Sequence, residues 1–146
     1  MDYFTTHLNN AGIRFRFQVP YHPDNYQRNN SGVLCFDNRD YGKIISVVKA
    51  AYQENQCHFC SEIPLCSKYL ALGLGFAEEP ILNTSPLISF GIHRCQIIAN
   101  ALVDAWEKGK ESSTSKLRII RQYFAHLGLD LQYPYLNPHS QDMYKF

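Results

Sequence analysis

The sequence predicts an α+β fold: a small antiparallel sheet packed against three main helices, with a long irregular segment and an extended C-terminal tail. Three observations predict it. Ile13 to Val19 alternates apolar and polar side chains, the period of a half-buried strand. Three later segments place apolar residues at helical spacing. The chain has 146 residues, and a chain of that size hides roughly 70% of its extended surface, enough for one core. Residues 1–146 therefore read as a single domain.

In the first strand, Ile13, Phe15, Phe17 and Val19 form the apolar face, and Arg14, Arg16 and Gln18 the other. Pro20 ends it. Tyr21 to Ser31, rich in Asn, Pro and Asp, reads as a loop. Gly32 to Phe36 is a second, more buried strand, pairing antiparallel with the first. Asp37, Asn38 and Asp40 then offer capping oxygens to a helix carrying Tyr41, Ile44, Ile45, Val48, Ala51 and Tyr52 on one side. No period holds from Gln56 to Pro86, and so long an irregular segment is often functional.

Ser89 can cap the next helix, Phe90 to about Lys108, whose apolar stripe reads Phe90, Ile97, Ile98, Ala101, Leu102, Ala105 and Trp106. Gly109 is its stop. A third helix places Leu117, Ile120, Phe124 and Leu127 on one face and ends at Gly128. The tail from Leu131 contains Pro134 and Pro138 and reads as extended, docked through Tyr133, Tyr135 and Leu136.

Lys plus Arg is 14 and Asp plus Glu is 13. So even a balance argues against a nucleic-acid coat or a polybasic membrane anchor. No apolar run approaches the ~18 residues that span a bilayer. The N-terminus lacks the basic start and apolar stretch of a secretory signal, so a cytoplasmic setting is expected. The five cysteines then read as reduced thiols.

Cys57-x2-Cys60 with Cys66, and His58, His93 or Cys95 as candidate fourth ligands, offers a spacing that suits zinc, but no second matched pair accompanies it, and small buried thiols are the plainer reading. No metal site is assigned. Gly73-Leu-Gly75 lacks the rest of a phosphate loop and reads as a tight backbone path. His93 and Arg94 are more informative. Arg94 lies four residues from both Phe90 and Ile98, so it points along the apolar stripe and needs a partner there. That partner is either a phosphate, favoured by the helix N-terminus, or a carboxylate from Glu78, Glu79 or Asp142. Arg14 and Arg16 share a strand face at a separation that could grip an oxyanion, or could simply face water. Lys68 could act as a base only if its surroundings lowered its pKa.

Ser67 to Pro80 (SKYLALGLGFAEEP), Ser89 to Trp106 (SFGIHRCQIIANALVDAW) and Leu129 to Tyr144 (LDLQYPYLNPHSQDMY) together resemble the HopA-one type III effector family. Arg14-Phe15 resembles the opening of that family's first strand. The three motifs occur in the family's order, and the chain resembles the C-terminal half of such a protein. The resemblance implies a mixed fold with a positively charged cleft. It also implies an effector, or a peptide-modifying protein working with a kinase-like partner. The implied chemistry is a phosphoserine or phosphothreonine lyase, which eliminates phosphate and leaves a dehydroamino acid. The alternative is a phosphopeptide- or protein-binding module without chemistry. Under the lyase reading Arg14, Arg16 and Arg94 hold the phosphate, Lys68 is the base or an enolate-stabilising cation, and His93 protonates the bridging oxygen. No cofactor, nucleic acid or membrane is called for. The setting is cytoplasmic, or host-delivered by a type III system.

Overall fold

A computed structural model describes residues 2–28, 31–81 and 88–146. The fold is α+β, with four α-helices and two small antiparallel sheets among those residues. The chain divides into two compact units. One comprises residues 1–63, 71–74 and 146; the other comprises 64–70 and 75–145.

The first unit opens with a helix the sequence reading did not anticipate, α1 (Asp2–Asn10). It is short, so packing rather than propensity must hold it. Leu8 supplies that packing, fully buried beside Ile13 and Ile44, with Phe4 against them. Gly12, at φ +63°, closes the helix, and the next amide, Ile13 N–H, reaches back to the Leu8 carbonyl at 3.0 Å. The predicted strand pair follows as β1 (Phe15–Gln18) and β2 (Val33–Phe36), in the register Phe15↔Phe36 and Phe17↔Leu34. Phe15, Leu34 and Phe36 complete the cluster around Leu8. Val19, assigned above to the apolar face, lies past the end of β1 and is exposed.

Asp37 caps a 3-10 turn (Asn38–Asp40), accepting from Arg39 N–H at 3.0 Å, and the turn leads into α2 (Tyr41–Asn55). Its buried residues are Ile44, Ala51 and Tyr52. The Tyr52 hydroxyl donates to the Leu72 carbonyl at 3.1 Å. Its ring meets Phe59 and Phe146 edge-on.

Part of the irregular segment is regular after all. β3 (Lys68–Ala71) and β4 (Leu74–Phe76) form a hairpin. Strands this short carry too few alternations to reveal a period. Gly73 makes the turn, at φ +69°. A Cβ there would stand 2.0 Å from the Cys60 carbonyl oxygen, so the glycine serves backbone geometry, as the sequence suggests. Residues 82–86, the end of the irregular segment, lie outside the described residues.

The second unit is built on α3 (Phe90–Glu107) and α4 (Ser113–His126). Ala101 and Ala105 have no exposed surface and let Ile119 of α4 approach closely. Ile97, Phe124 and Leu129 form the neighbouring cluster. Both predicted stripes are therefore rotated from where the sequence puts them. Trp106 is 78% exposed and Leu102 39%, because the buried row runs Phe90, Arg94, Ile97, Ala101, Ala105. On α4 Leu117, and just past its end Leu127, are exposed while Ile119 and Phe124 are buried. Ser112 caps α4 through the Ser115 amide. Gly109 (φ +62°) and Gly128 (φ +70°) end the two helices as expected. Tyr135 and Leu136 dock the tail, Tyr133 is 46% exposed, and the anchor not foreseen is Tyr144, at 1%.

Candidate functional site

Arg94 organises the second unit's centre. Its position on α3 places it in the buried row, where it is 1% exposed and sits over the Phe90 ring at 5.1 Å. A guanidinium is always charged and can only donate, so burial demands acceptors. Phosphate and the carboxylates of Glu78, Glu79 and Asp142 are the partners the sequence offers it. None of the three carboxylates bonds to it directly. Arg94 Nε donates to the Pro134 carbonyl at 2.7 Å, and Nη2 to the Leu136 carbonyl at 2.9 Å. Nη1 donates to His93 Nδ1 at 2.5 Å. Burial pulls the Arg94 pKa down, with Cys66 and Glu78 opposing.

The three carboxylates go elsewhere. Glu78 accepts from the Asn137 amide at 2.7 Å and from the Tyr144 hydroxyl. Glu79 accepts from Phe90 N–H, the first amide of α3, at 3.0 Å. That helix end, which the sequence offered to an external anion, already holds a carboxylate of the chain. Asp142 takes Lys68, at 2.5 Å to both oxygens, and the Tyr135 hydroxyl at 2.7 Å. Lys68 holds the Asp142 carboxyl below its usual range, against the opposing effect of burial. Burial, then the Asp142 hydrogen bond, pushes the Tyr135 phenol up to about 12.

Tyr135 thus ties two cations together. The carbonyls on either side of it bind Arg94, and its hydroxyl shares Asp142 with Lys68. Further bonds run from Glu78 N–H to the Tyr135 carbonyl at 2.8 Å and from Asn137 Nδ2 to the Glu79 carbonyl at 2.8 Å. The segments around Lys68 to Pro80, Ser89 to Arg94 and Pro134 to Tyr144 form one hydrogen-bonded knot.

His93 stands at its edge, half-buried. Because Arg94 can only donate, His93 Nδ1 must accept, and the ring proton of the neutral imidazole sits on Nε2. Burial first, and the neighbouring cation second, lower the His93 pKa. Beside it opens a cleft of about 160 Å³. Pro80, Ile81, Leu127, Leu129 and Pro138 wall it with apolar surface. His93, Arg94 and Asn137 form its polar side.

The residues singled out from the sequence divide between the two units. Arg14 and Arg16 belong to the first unit, where both are exposed. Arg16 reaches Cys35 Sγ at 3.6 Å, and the charge of Arg14 contributes to lowering the Asp37 pKa, behind the larger effect of Arg39. Lys68, His93 and Arg94 belong to the second unit. All five cysteines are free thiols, but none is buried as the sequence suggests: Cys57, Cys60 and Cys95 are exposed, and Cys35 and Cys66 are half-buried. Cys57 and Cys60 are in the first unit and Cys66 in the second. Among the described residues, no three His, Cys, Asp or Glu side chains are grouped to hold a metal. Cys66, in left-handed backbone at φ +66°, has its thiol pKa raised by burial and by Cys95, against Arg94. Among the described residues, no helix is long and apolar enough to cross a membrane.

Tyr135, Asn137 and Tyr144 are the participants that residue-by-residue reading missed as site residues. Their signal was only the clustering of rings and amides in the tail. The same three segments carried the family resemblance, and the HopA1 effector protein family model matches residues 1–136. The chain belongs to the HopA1 effector protein family. A search of curated proteins finds no match.

Proposed function

We propose that this HopA1-family chain handles phosphorylated Ser or Thr in a peptide or protein, and that its chemistry is elimination of the phosphate. The observation that carries this reading is the His93–Arg94 pair at the head of α3, beside a cleft. In the reaction a base removes the Cα proton and its electrons form the Cα=Cβ bond. The Cβ–O bond breaks, and phosphate leaves with the bridging oxygen. His93 Nε2–H is the donor to that oxygen; the depressed pKa suits it to a hydrogen bond from the neutral ring. Lys68 is the base, or the cation facing the enolate. As a base it must first give up a proton, because an ammonium has no lone pair, and the Asp142 carboxylate is the acceptor in reach. Arg94 supplies positive charge beside His93 Nδ1.

A kinase-like partner would make the phosphorylated substrate. Delivery by a type III system, with action in a host cell, is the setting that effector-family membership supports. A binding module without chemistry is the second reading. It is favoured by the engagement of Lys68 with Asp142 and of Arg94 with tail carbonyls, since both cations are already held by the chain.

Mass spectrometry of a phosphothreonine peptide incubated with the protein tests the proposal. Elimination removes the mass of phosphoric acid, and His93→Ala and Lys68→Ala each slow that loss at least about a hundredfold. An intact phosphopeptide that still binds assigns the chain to the second reading. One that neither reacts nor binds overturns both.

A further inference from the structure

We propose that the cleft beside His93 is a side-chain subsite that takes one apolar residue, of leucine to phenylalanine size, adjacent to the phosphorylated residue. The inference rests on the phosphopeptide reading above and names which phosphopeptides the site accepts. Size limits the occupant. At about 160 Å³ the cleft matches cavities that hold a benzene-sized molecule, too small for a run of peptide and ample for one side chain.

The walls set its chemistry. Five lining residues are apolar, and two of them, Ile81 at 83% and Leu127 at 46%, leave that surface to water in the free chain. An apolar side chain entering the cleft would cover them. A carboxylate entering it would lose its water and meet apolar walls on most sides. The polar side fixes position: His93, the proposed donor to the phosphate's bridging oxygen, lines the same cleft. A peptide with its phosphate at His93 therefore sets a neighbouring side chain against Ile81 and Leu127.

Calorimetric titration of the full chain tests this with phosphothreonine peptides that differ only in one flanking residue, on either side: Leu, Phe, Ala or Asp. Leu or Phe at one of the two positions is expected to bind about tenfold tighter than Ala, with Asp weaker still. Ile81→Ser and Leu127→Ser, both at exposed positions, are expected to shrink that preference below about threefold, with folding checked by circular dichroism. Measurable affinity that is flat across all flanking residues overturns the subsite and leaves the phosphopeptide reading standing. Failure of every phosphopeptide to bind overturns both. A dimer that Ile81→Ser dissociates, with flat peptide affinities, would give the cleft to a second copy and overturn the proposal.

Discussion

Arg94 is a buried charge answered by main-chain oxygen. Carbonyls at Pro134 and Leu136 accept two of its bonds, and His93 accepts a third. Shape is what makes this work, because the planar fork reaches three acceptors from one side chain. Lys in its place has a single nitrogen and cannot span them. Arg94→Lys is expected to cost about 2–4 kcal/mol in urea unfolding, as buried carbonyls lose their donor. His93 makes a separate prediction. Its folded pKa lies below the ordinary 6.5. Between the two values the unfolded chain binds the extra proton, so stability is complete above pH 6.5 and falls as pH drops toward the folded value. His93→Gln should flatten that part of the stability–pH curve. Arginine's need for a partner was legible from its place on the stripe. Its partners were not, because main-chain acceptors forty residues away leave no side-chain signature in the sequence.

At the level of elements, the strand pair and three of the helices follow from alternation and helical spacing. What the pattern does not set is rotation. A row of apolar residues two positions wide admits several faces, and the close approach of α4 at Ala101 and Ala105 selects the one that leaves Trp106 in water. α1 escaped notice because its register rests on little more than Phe4 and Leu8. The hairpin makes the most direct test at this scale. Gly73→Ala combines left-handed backbone with a Cβ 2.0 Å from the Cys60 carbonyl oxygen, and should cost about 2–4 kcal/mol. Gly12→Ala meets the same backbone cost with nothing within 4 Å, and should cost about 1 kcal/mol. Equal losses in thermal or urea unfolding would remove the close approach from the account.

Across the whole molecule, three separated motifs of a HopA1-family sequence meet in one hydrogen-bonded centre. Tyr144 closes it, its ring tilted 37° against Phe76 with centroids 4.0 Å apart and its hydroxyl donating to Glu78. Tyr144→Ala should cost about 3–5 kcal/mol, and Tyr144→Phe, which keeps the ring and removes the donor, about 1 kcal/mol. Tyr144, with Phe146 the only other aromatic of the last ten residues, gave no periodic signal, so sequence alone left it as tail. The resemblance pointed to all three segments, while the bonds joining them became visible only in the fold. On the function proposed above, this centre recognises phosphate on a peptide. The most direct measurement of this is the affinity of the full chain for a phosphothreonine peptide against the same peptide unphosphorylated. Recognition at this centre requires at least about a tenfold preference for the phosphorylated form, the worth of one charge-assisted hydrogen bond, much reduced in His93→Ala. Equal affinity for the two peptides would contradict it.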